Sequence, residues 1–566
     1  MSRIALIAGS MAYLTFSTAV LAAPLVVPGS ADAGRMLESL QSTSEPTLTA
    51  PQVMVSPQVG VQTPSGAQHA LFLLEDVSVE GSTVYDNREL AGVFHPYLHQ
   101  YLSVRKLYEL AAGITKRYHD DGYVLSKAVV PPQDLTDGRV KIEVVEGYID
   151  QVQTQGMRLQ AKEADDIIGR IKGYRPLRIG DFERDILLLN DLAGVTARAV
   201  FTPADHTGSV KPPPGATGLI LVFNESPVPT SISTDNYGSR FTGPYQMQFR
   251  TGVNHLLGPY QQTTISGLMA LPQPNELQTV QLSHRLTLDG QGTTATLQAG
   301  FTHTEPGYTL SSSEIVSAAY EYGVSIAHPL MRSRTDNLYL SSDLVIKDIT
   351  TDALDTRLYH DKLTIVSVGV NADNIDRWGG ANTAQAKVSQ GLELLGASPT
   401  GSPDLSRADG HSDFTRLSVT VNRLQAVTGQ LRVYAAATGQ YAWSPLLSSE
   451  QFGYGGQQFG RAFDPSELTG DNGMAGVVEL RYSPPILIPH TTSELYTFYD
   501  IGRVWNFNDA ENMQGGSSVG VGWRFAWGPH LSANLSIAQP LTISASAPGN
   551  GNEKGPRGFF SVNLTY

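Results

Sequence analysis

Near the C-terminus apolar and polar residues alternate without a break. Between Ser518 and Trp527, the residues Val519, Val521, Trp523, Phe525 and Trp527 fall on one side of an extended chain, opposite Ser518, Gly520, Gly522, Arg524 and Ala526. In the next segment Leu531, Ala533, Leu535 and Ile537 oppose Ser532, Asn534, Ser536 and Ala538, and at the end Phe560, Val562, Leu564 and Tyr566 oppose Ser561, Asn563 and Thr565. Successive side chains on a strand point to opposite faces, so this period predicts strands with one apolar face each. Similar segments of about ten residues fill the chain after Pro229, separated by Gly, Asp, Asn and Pro, and helical periodicity vanishes there. A soluble sandwich also alternates. Here, however, the polar faces carry Ser, Gly, Asn and isolated charges where soluble sheets favour Lys and Glu, and aromatics collect near strand ends, as they do in membrane barrels. At roughly twenty residues per strand and turn, residues 228–566 hold about sixteen antiparallel strands, with fourteen or eighteen also within the arithmetic.

The N-terminal part reads differently. Arg3, an apolar run from Ile4 to about Leu14 and small residues up to Val20-Leu21-Ala22 form a secretory signal peptide cut after Ala22, with Ala31-Asp32-Ala33 as a second possible site. Thr15, Ser17 and Thr18 interrupt the run short of the ~20 residues a spanning helix needs. Met36, Leu37 and Leu40 among polar neighbours predict a short amphipathic helix over about 34–42, and residues 43–69, rich in Pro, Thr, Ser and Gln, predict an extended linker.

Two small α+β modules follow, at 70–148 and 149–227. The first has strands at Leu71-Phe72-Leu73, Val77–Val79, Tyr123-Val124-Leu125 and Val140–Val144, and a helix with Leu107, Leu110, Ala111 and Ile114 on one face. The second has a strand at Ile149–Val152, helices around 164–171 and 182–192, and strands at Ala197–Phe201 and Leu219–Phe223. Its Lys211-Pro212-Pro213-Pro214-Gly215 stretch can only be a hairpin loop.

Composition narrows the function. Charged residues are 16% against roughly 25% in soluble domains, which argues against a cytosolic globular enzyme. The formal net charge of −14 repels phosphate, so nucleic acid is not an expected partner. No cysteine is present, which removes disulfides, thiolate catalysis and thiolate metal sites. Gly516-Ser517-Ser518-Val519-Gly520 has the spacing of a nucleophile elbow but sits inside a strand with no helix after it, where the elbow cannot form. Gly290-Gln291-Gly292 lies between two alternating segments and reads as a hairpin turn. The thirteen histidines show no metal-ligand spacing. No catalytic residue, metal or cofactor is expected.

Two charged residues stand out. Phe459-Gly460-Arg461-Ala462-Phe463-Asp464 sits in a long Gly-rich segment too irregular for a strand and too aromatic for a solvated loop. In Phe498-Tyr499-Asp500-Ile501-Gly502 the alternation of Leu495, Tyr499, Ile501 and Trp505 puts Phe498, Asp500 and Gly502 on the other, lumenal side. A loop folded into the lumen would bring Arg461 to Asp500 as a guanidinium–carboxylate pair. Spacing alone is equally compatible with two unrelated residues, one on an exposed loop and one in a wet lumen.

These residues resemble the two-partner secretion transporters (the TpsB family of ShlB, FhaC and HecB), a branch of the superfamily that includes the barrel assembly protein BamA. The tandem modules are similar to POTRA domains through Gly122-Tyr123, Pro131, Gly138-Arg139-Val140 and Val144-Val145-Glu146-Gly147, and Asp235-Asn236-Tyr237-Gly238-Ser239-Arg240-Phe241-Thr242-Gly243 is similar to the family's first barrel strand. Gly460-Arg461-Ala462-Phe463 occupies the place of the V-R-G-[FY] tip of a re-entrant sixth loop near 453–475, with Gly460 for Val and Ala462 for Gly; Phe498, Asp500 and Gly502 match its barrel-wall partner. The stretch Ala33-Gly34-Arg35-Met36-Leu37 resembles the family's plug helix, which makes Met36, Leu37 and Leu40 plug residues.

The resemblance implies a signal peptide, a plug helix and linker, two periplasmic POTRA domains and an all-β transmembrane barrel in the outer membrane of a Gram-negative bacterium. Such a protein secretes a large exoprotein of haemolysin or adhesin type, carrying a two-partner secretion domain, by type Vb secretion. It implies contact with outer-membrane lipid and lipopolysaccharide, and insertion by the barrel assembly machinery through a C-terminal signal at Phe560, Val562, Leu564 and Tyr566. The rivals are an insertase of the same superfamily, which carries three or more POTRA units, a barrel lipase and a passive porin.

Overall fold

A computed structural model describes residues 27–37, 45–48, 71–204, 212–485, 488–543 and 555–566. The expected signal peptide, Leu40 and most of the linker lie outside these residues.

In the first module the strands Asp76–Glu80 and Lys127–Val129 flank Arg139–Val145, parallel and antiparallel to it respectively, and Leu71–Leu74 pairs separately with Gln100–Ser103. The helix Val104–Asp120 buries Leu107, Leu110, Ala111, Ile114 and Tyr118 against Val140, Ile142 and Val144, the packing that its apolar stripe requires. A second helix, Asn87–Phe94, was not visible as periodicity. It is announced by a capping box in which Asp86 accepts from the backbone N–H of Glu89 and the Glu89 carboxylate accepts from that of Asp86. Tyr123-Val124-Leu125 is a turn and not a strand; the strand begins at Lys127. Glu146 ties the module together, accepting from the backbone of Thr83 and Val84 and from the Tyr118 hydroxyl.

The second module repeats the plan with the order Tyr148–Gln155, Ala216–Glu225, Val195–Pro203 and the helices Lys162–Gly173 and Ile179–Asp191. Its core contains one carboxylate, Asp185, which is wholly buried. Arg170 donates to it from Nε (3.0 Å) and Nη2 (2.6 Å), and the Tyr174 hydroxyl donates at 2.9 Å. Burial, with that carboxylate alongside, pushes the Tyr174 phenol up to about 12. Arg170 also reaches outward to the Gly290 carbonyl in a barrel turn (2.9 Å). Arg332 grips Asp191 with two bonds of 2.8 Å each, and the Tyr260 hydroxyl donates to the Leu159 carbonyl (2.7 Å). The barrel turns at 255–261, 288–293 and 333–335 therefore seat this module and define one end of the barrel.

The barrel is closed and has sixteen antiparallel strands. The first, Ser231–Asp235, pairs on one side with Tyr245–Asn254 and on the other with the last, Arg557–Thr565. Strand length is less uniform than the alternation suggests, from five residues in Ser231–Asp235 to twenty in Thr356–Ile375. Val519, Val521, Trp523, Leu535, Ile537 and Leu564 are exposed on the outer face, while Phe498, Asp500 and Gly502 are buried inside. Among the described residues no helix is long and apolar enough to cross a membrane, so any crossing is made by strands.

Replacing Asp185 with Ala leaves the part-buried Arg170 guanidinium and the Tyr174 hydroxyl without the carboxylate they share. The second module should lose about 3–5 kcal/mol. Limited proteolysis of the detergent-solubilised chain should then cut faster within 149–225 while the barrel stays resistant; an unchanged digestion pattern would contradict this role for Asp185.

Candidate functional site in the barrel lumen

Between the strands Leu431–Ala442 and Asn472–Tyr482, on the end away from the modules, the chain does not make a simple turn. Residues 443–471 fold back into the lumen, stiffened by a small hairpin of Phe452–Tyr454 with Leu468–Gly470. At its tip Gly460 takes φ +82°, a left-handed conformation that favours glycine, and its Cα lies under the Tyr454 ring, where a Cβ would approach to 2.7 Å. A Val at this position would not fit.

Arg461 carries the tip's chemistry. Its backbone N–H donates to Asp500 Oδ2 (2.9 Å), its Nε to the same oxygen (3.2 Å) and its Nη2 to Oδ1 (2.8 Å). Nη1 donates to Glu479 Oε1 at 2.5 Å, and the guanidinium lies 3.7 Å from the Phe498 ring centre. Arg461, Asp500 and Glu479 are 6%, 0% and 3% exposed, so these are charge-assisted bonds shielded from bulk water. Ser518, the serine of the elbow-like spacing, donates to Asp500 Oδ2 (3.1 Å) and is a structural hydroxyl. Gly502 is needed for close approach: a Cβ there would sit 2.2 Å from the Tyr454 ring.

The structure thus brings Arg461, Phe498 and Asp500 together and adds Glu479, which the sequence reading missed. A signal for it existed. Glu479 and Arg481 alternate with Val478 and Leu480, and charges in register on the inner face of a barrel strand must find partners in the lumen.

Three further carboxylates fasten the same loop. Asp464 accepts from Arg240 Nε (2.6 Å) and Arg557 Nη2 (2.8 Å), and Arg557 also donates to the Ala462 carbonyl (3.1 Å). Glu450 lies between Lys347 Nζ (2.8 Å) and Arg416 Nη2 (2.9 Å). Asp471 gathers Arg407, the Leu446 N–H (3.0 Å) and the Phe507 N–H (2.9 Å). Phe463, Tyr454, Phe498 and Phe559 form an apolar cluster beneath the tip.

The N-terminal segment lies in the lumen as well. It forms a turn at Gly29–Ala31 and one helical turn at Ala33–Met36, capped by Asp32, which accepts from the Gly34 N–H (2.8 Å). The described helical turn starts at Ala33, residues 38–42 of the expected helix lie outside the described residues, and the turn is buried on every side, because it is surrounded by the barrel and not laid on a surface. Arg35 donates to the carbonyls of Ser448 (3.0 Å) and Gln451 (2.7 Å) and to Ser466 Oγ (3.2 Å), all on the re-entrant loop. Met36 and Leu37 pack on Leu268, Ala270 and Leu277. At the other terminus Phe560, Val562 and Leu564 lie on the last strand, where Val562 faces Thr234 and Leu564 faces Ile232 of the first; the Tyr566 N–H donates to the Thr230 carbonyl (2.8 Å). Among the described residues no group of side chains is arranged to hold a metal ion.

Three comparisons bear on this arrangement. A family model described as the haemolysin secretion/activation protein ShlB/FhaC/HecB matches residues 219–525, and a ShlB-type POTRA domain matches residues 72–147. Among curated proteins the chain is 25% identical over 503 residues to the outer membrane transporter CdiB of Escherichia coli (85% of this chain, 81% of that one). It is 24% identical over 464 residues to the heme/hemopexin transporter protein HuxB of Haemophilus influenzae (80% of each). The solved structure of CdiB from Escherichia coli superposes with a TM-score of 0.72 at 21% identity, covering 91% of this chain and 94% of that one. BamA from Haemophilus ducreyi lacking POTRA domains 1–3 superposes with a TM-score of 0.51 at 13% identity, over 88% and 100%.

Removing the Asp500 carboxylate leaves Arg461 with Glu479 alone, and the tip should lose about 3–5 kcal/mol of anchoring. In planar bilayers Asp500→Ala should give larger and more variable conductance than the wild type. Deleting residues 28–42 should also raise single-channel conductance; a value equal to the wild type would show that the segment does not obstruct the lumen.

Proposed function

The chain belongs to the haemolysin secretion/activation family of ShlB, FhaC and HecB, and on that premise we propose that it is an outer-membrane pore that secretes a large partner exoprotein of haemolysin or adhesin type by two-partner secretion. The observation that carries this reading is the content of the lumen. A sixteen-strand barrel is wide enough for an aqueous channel, and here that space is filled by two segments of the chain's own backbone, 27–37 and 443–471, joined to the wall by hydrogen bonds and ion pairs. A passive porin has no use for such a filling or for two modules, one of them seated on its rim.

The steps follow from the parts. The modules lie in the periplasm and receive the partner in extended form. Asp76–Glu80 and Lys127–Val129 are sheet edges in the first module, Tyr148–Gln155 is one in the second, and Leu71 and Tyr101 are exposed on the two-stranded sheet. An extended chain added to such an edge gains backbone hydrogen bonds that do not depend on its side chains, with selectivity left to alternate side-chain pockets. The plug then leaves. Residues 43–68 can extend to roughly 85 Å at about 3.3 Å per residue, enough slack for the helix to clear the barrel. The periplasm holds no ATP, so burial of apolar surface as the partner folds outside supplies the direction. The Arg461–Asp500–Glu479 contact sets where the loop rests along this path. The outward apolar belt meets outer-membrane lipid and lipopolysaccharide, and the last strand, with Phe560, Val562, Leu564 and Tyr566, is the element read by the barrel assembly machinery during insertion.

A strain lacking this protein should retain one large exoprotein that the wild type releases, as read by comparing culture media; identical media would overturn the reading. Arg461→Ala should reduce release of that exoprotein while heat-modifiable migration of the folded barrel on gels is kept. Release at wild-type level would remove the loop tip from the mechanism.

A further inference from the structure

Beyond the plug, the described segment Glu45–Leu48 meets the barrel wall at Arg481, near the module-side end of the strand Asn472–Tyr482. Glu45 is half exposed, yet its carboxylate takes both terminal nitrogens of Arg481, Nη1 to Oε2 at 2.7 Å and Nη2 to Oε1 at 3.1 Å. Arg481 is held ready for that geometry. Its Nε donates to Glu479 Oε2 (2.7 Å), its guanidinium lies 4.3 Å from the Tyr434 ring centre, and its side chain is 5% exposed. A planar fork fixed on one edge and stacked on an aromatic face presents its other edge to a carboxylate with little rotamer freedom left to lose.

The charges around it are nearly matched, and Glu45 completes the match. Arg432, Arg461, Arg481 and Arg524 face three wall carboxylates, Glu479, Glu494 and Asp500, through the pairs Arg461–Asp500, Arg461–Glu479, Arg481–Glu479, Arg524–Glu479, Arg524–Glu494 and Arg432–Glu494. The fourth carboxylate comes from the N-terminal segment and leaves with it. Next to the cluster, at the mouth facing the modules, is a cavity of about 580 Å³ lined in part by Arg432, Glu494, Arg524 and Asn534. Segment 45–48 has no helix or strand structure, so the wall already accommodates non-helical chain at this point.

Resting on the reading of the lumen as a polypeptide path, we propose that Arg481, backed by Tyr434, is a docking site for acidic side chains of the extended chain in transit, and that Glu45 is its tethered occupant in the resting state. Withdrawal of the plug removes Glu45 and leaves the outer edge of Arg481 free, so the site opens only when the path does. The passing chain then meets, beside the wall-paired Arg432 and Arg524, a guanidinium whose carboxylate partner has just left, a contact strong enough to bias entry and weak enough in a wet lumen to release.

The test uses the full-length chain in planar bilayers, with an alternating Glu-Ser octapeptide added on the periplasmic side and a Gln-Ser octapeptide as control. A tethered carboxylate competes at an effective concentration in the millimolar range. Glu45→Gln should therefore lower the half-blocking concentration of the Glu-Ser peptide by about tenfold relative to wild type, with no block by the Gln-Ser peptide. Glu45→Gln combined with Arg481→Gln should lose the gain. Equal block of wild type and Glu45→Gln, block retained in the double variant, or equal block by free glutamate overturns the proposal. Should the double variant not assemble, judged by loss of heat-modifiable migration, Glu45→Lys takes its place, since a cation at 45 must free Arg481 as fully as Gln does; block like the wild type counts against the site. The reading of the pore as an exporter stands or falls separately, on the exoprotein retained by the deletion strain.

Discussion

A chain that crosses hydrocarbon as strands has no water in which to leave a backbone amide unpaired, and the only arrangement without a loose edge is one in which the last strand meets the first. That constraint organises the rest of the molecule. It accounts for the five-residue strand Ser231–Asp235 being held from both sides, by Tyr245–Asn254 and by Arg557–Thr565. It also creates two environments from one alternating pattern, with Val521 and Trp523 facing outward and Glu479, Arg481, Asp500 and Arg524 inward.

The inner environment can hold charges only as pairs. Of the two segments in the lumen, the re-entrant loop is bound by both kinds of force. Three of its charged residues are paired with barrel-strand residues and Asp471 with Arg407 of a neighbouring loop, and Tyr454 and Phe463 pack into an aromatic cluster. The N-terminal segment is held less firmly. Arg35 bonds to two carbonyls and a hydroxyl, Ala33, Met36 and Leu37 reach small apolar clusters, and the Glu45–Arg481 ion pair is half exposed on the Glu45 side. Hydrogen bonds to neutral acceptors are readily exchanged for water in a wet channel, whereas a buried guanidinium between two carboxylates is not. The same lumen therefore holds one removable part and one anchored part, and Arg35, donating to Ser448 and Gln451, joins them.

The modules show why some elements are readable in a sequence and others are not. Val104–Asp120 has a long apolar stripe and was legible. Asn87–Phe94, with only two turns and Leu90 and Phe94 buried, has too little stripe to register and is marked mainly by its capping box. Tyr123-Val124-Leu125 has the residue types of a strand, but Gly122 at φ +94° and the Ser126 N–H to Tyr123 carbonyl bond make it a turn. The plug misled in another way. An amphipathic pattern assumes one wet face, and inside a barrel every face of the described turn Ala33–Met36 meets protein.

The sequence by itself determined the alternation of the barrel strands, the two-module plan and the inward side of Asp500, because each follows from local periodicity and backbone geometry. It also carried Arg461, as a charge among aromatics in a segment too irregular to be a strand. Only the tertiary structure decided that Glu479 shares Arg461 with Asp500, that Asp464 joins Arg240 to Arg557, and that Glu45 lies on Arg481. These residues are separated by tens to hundreds of positions, and what joins them is closure of the sheet around a narrow wet space, which makes distant charges seek the nearest opposite charge across it.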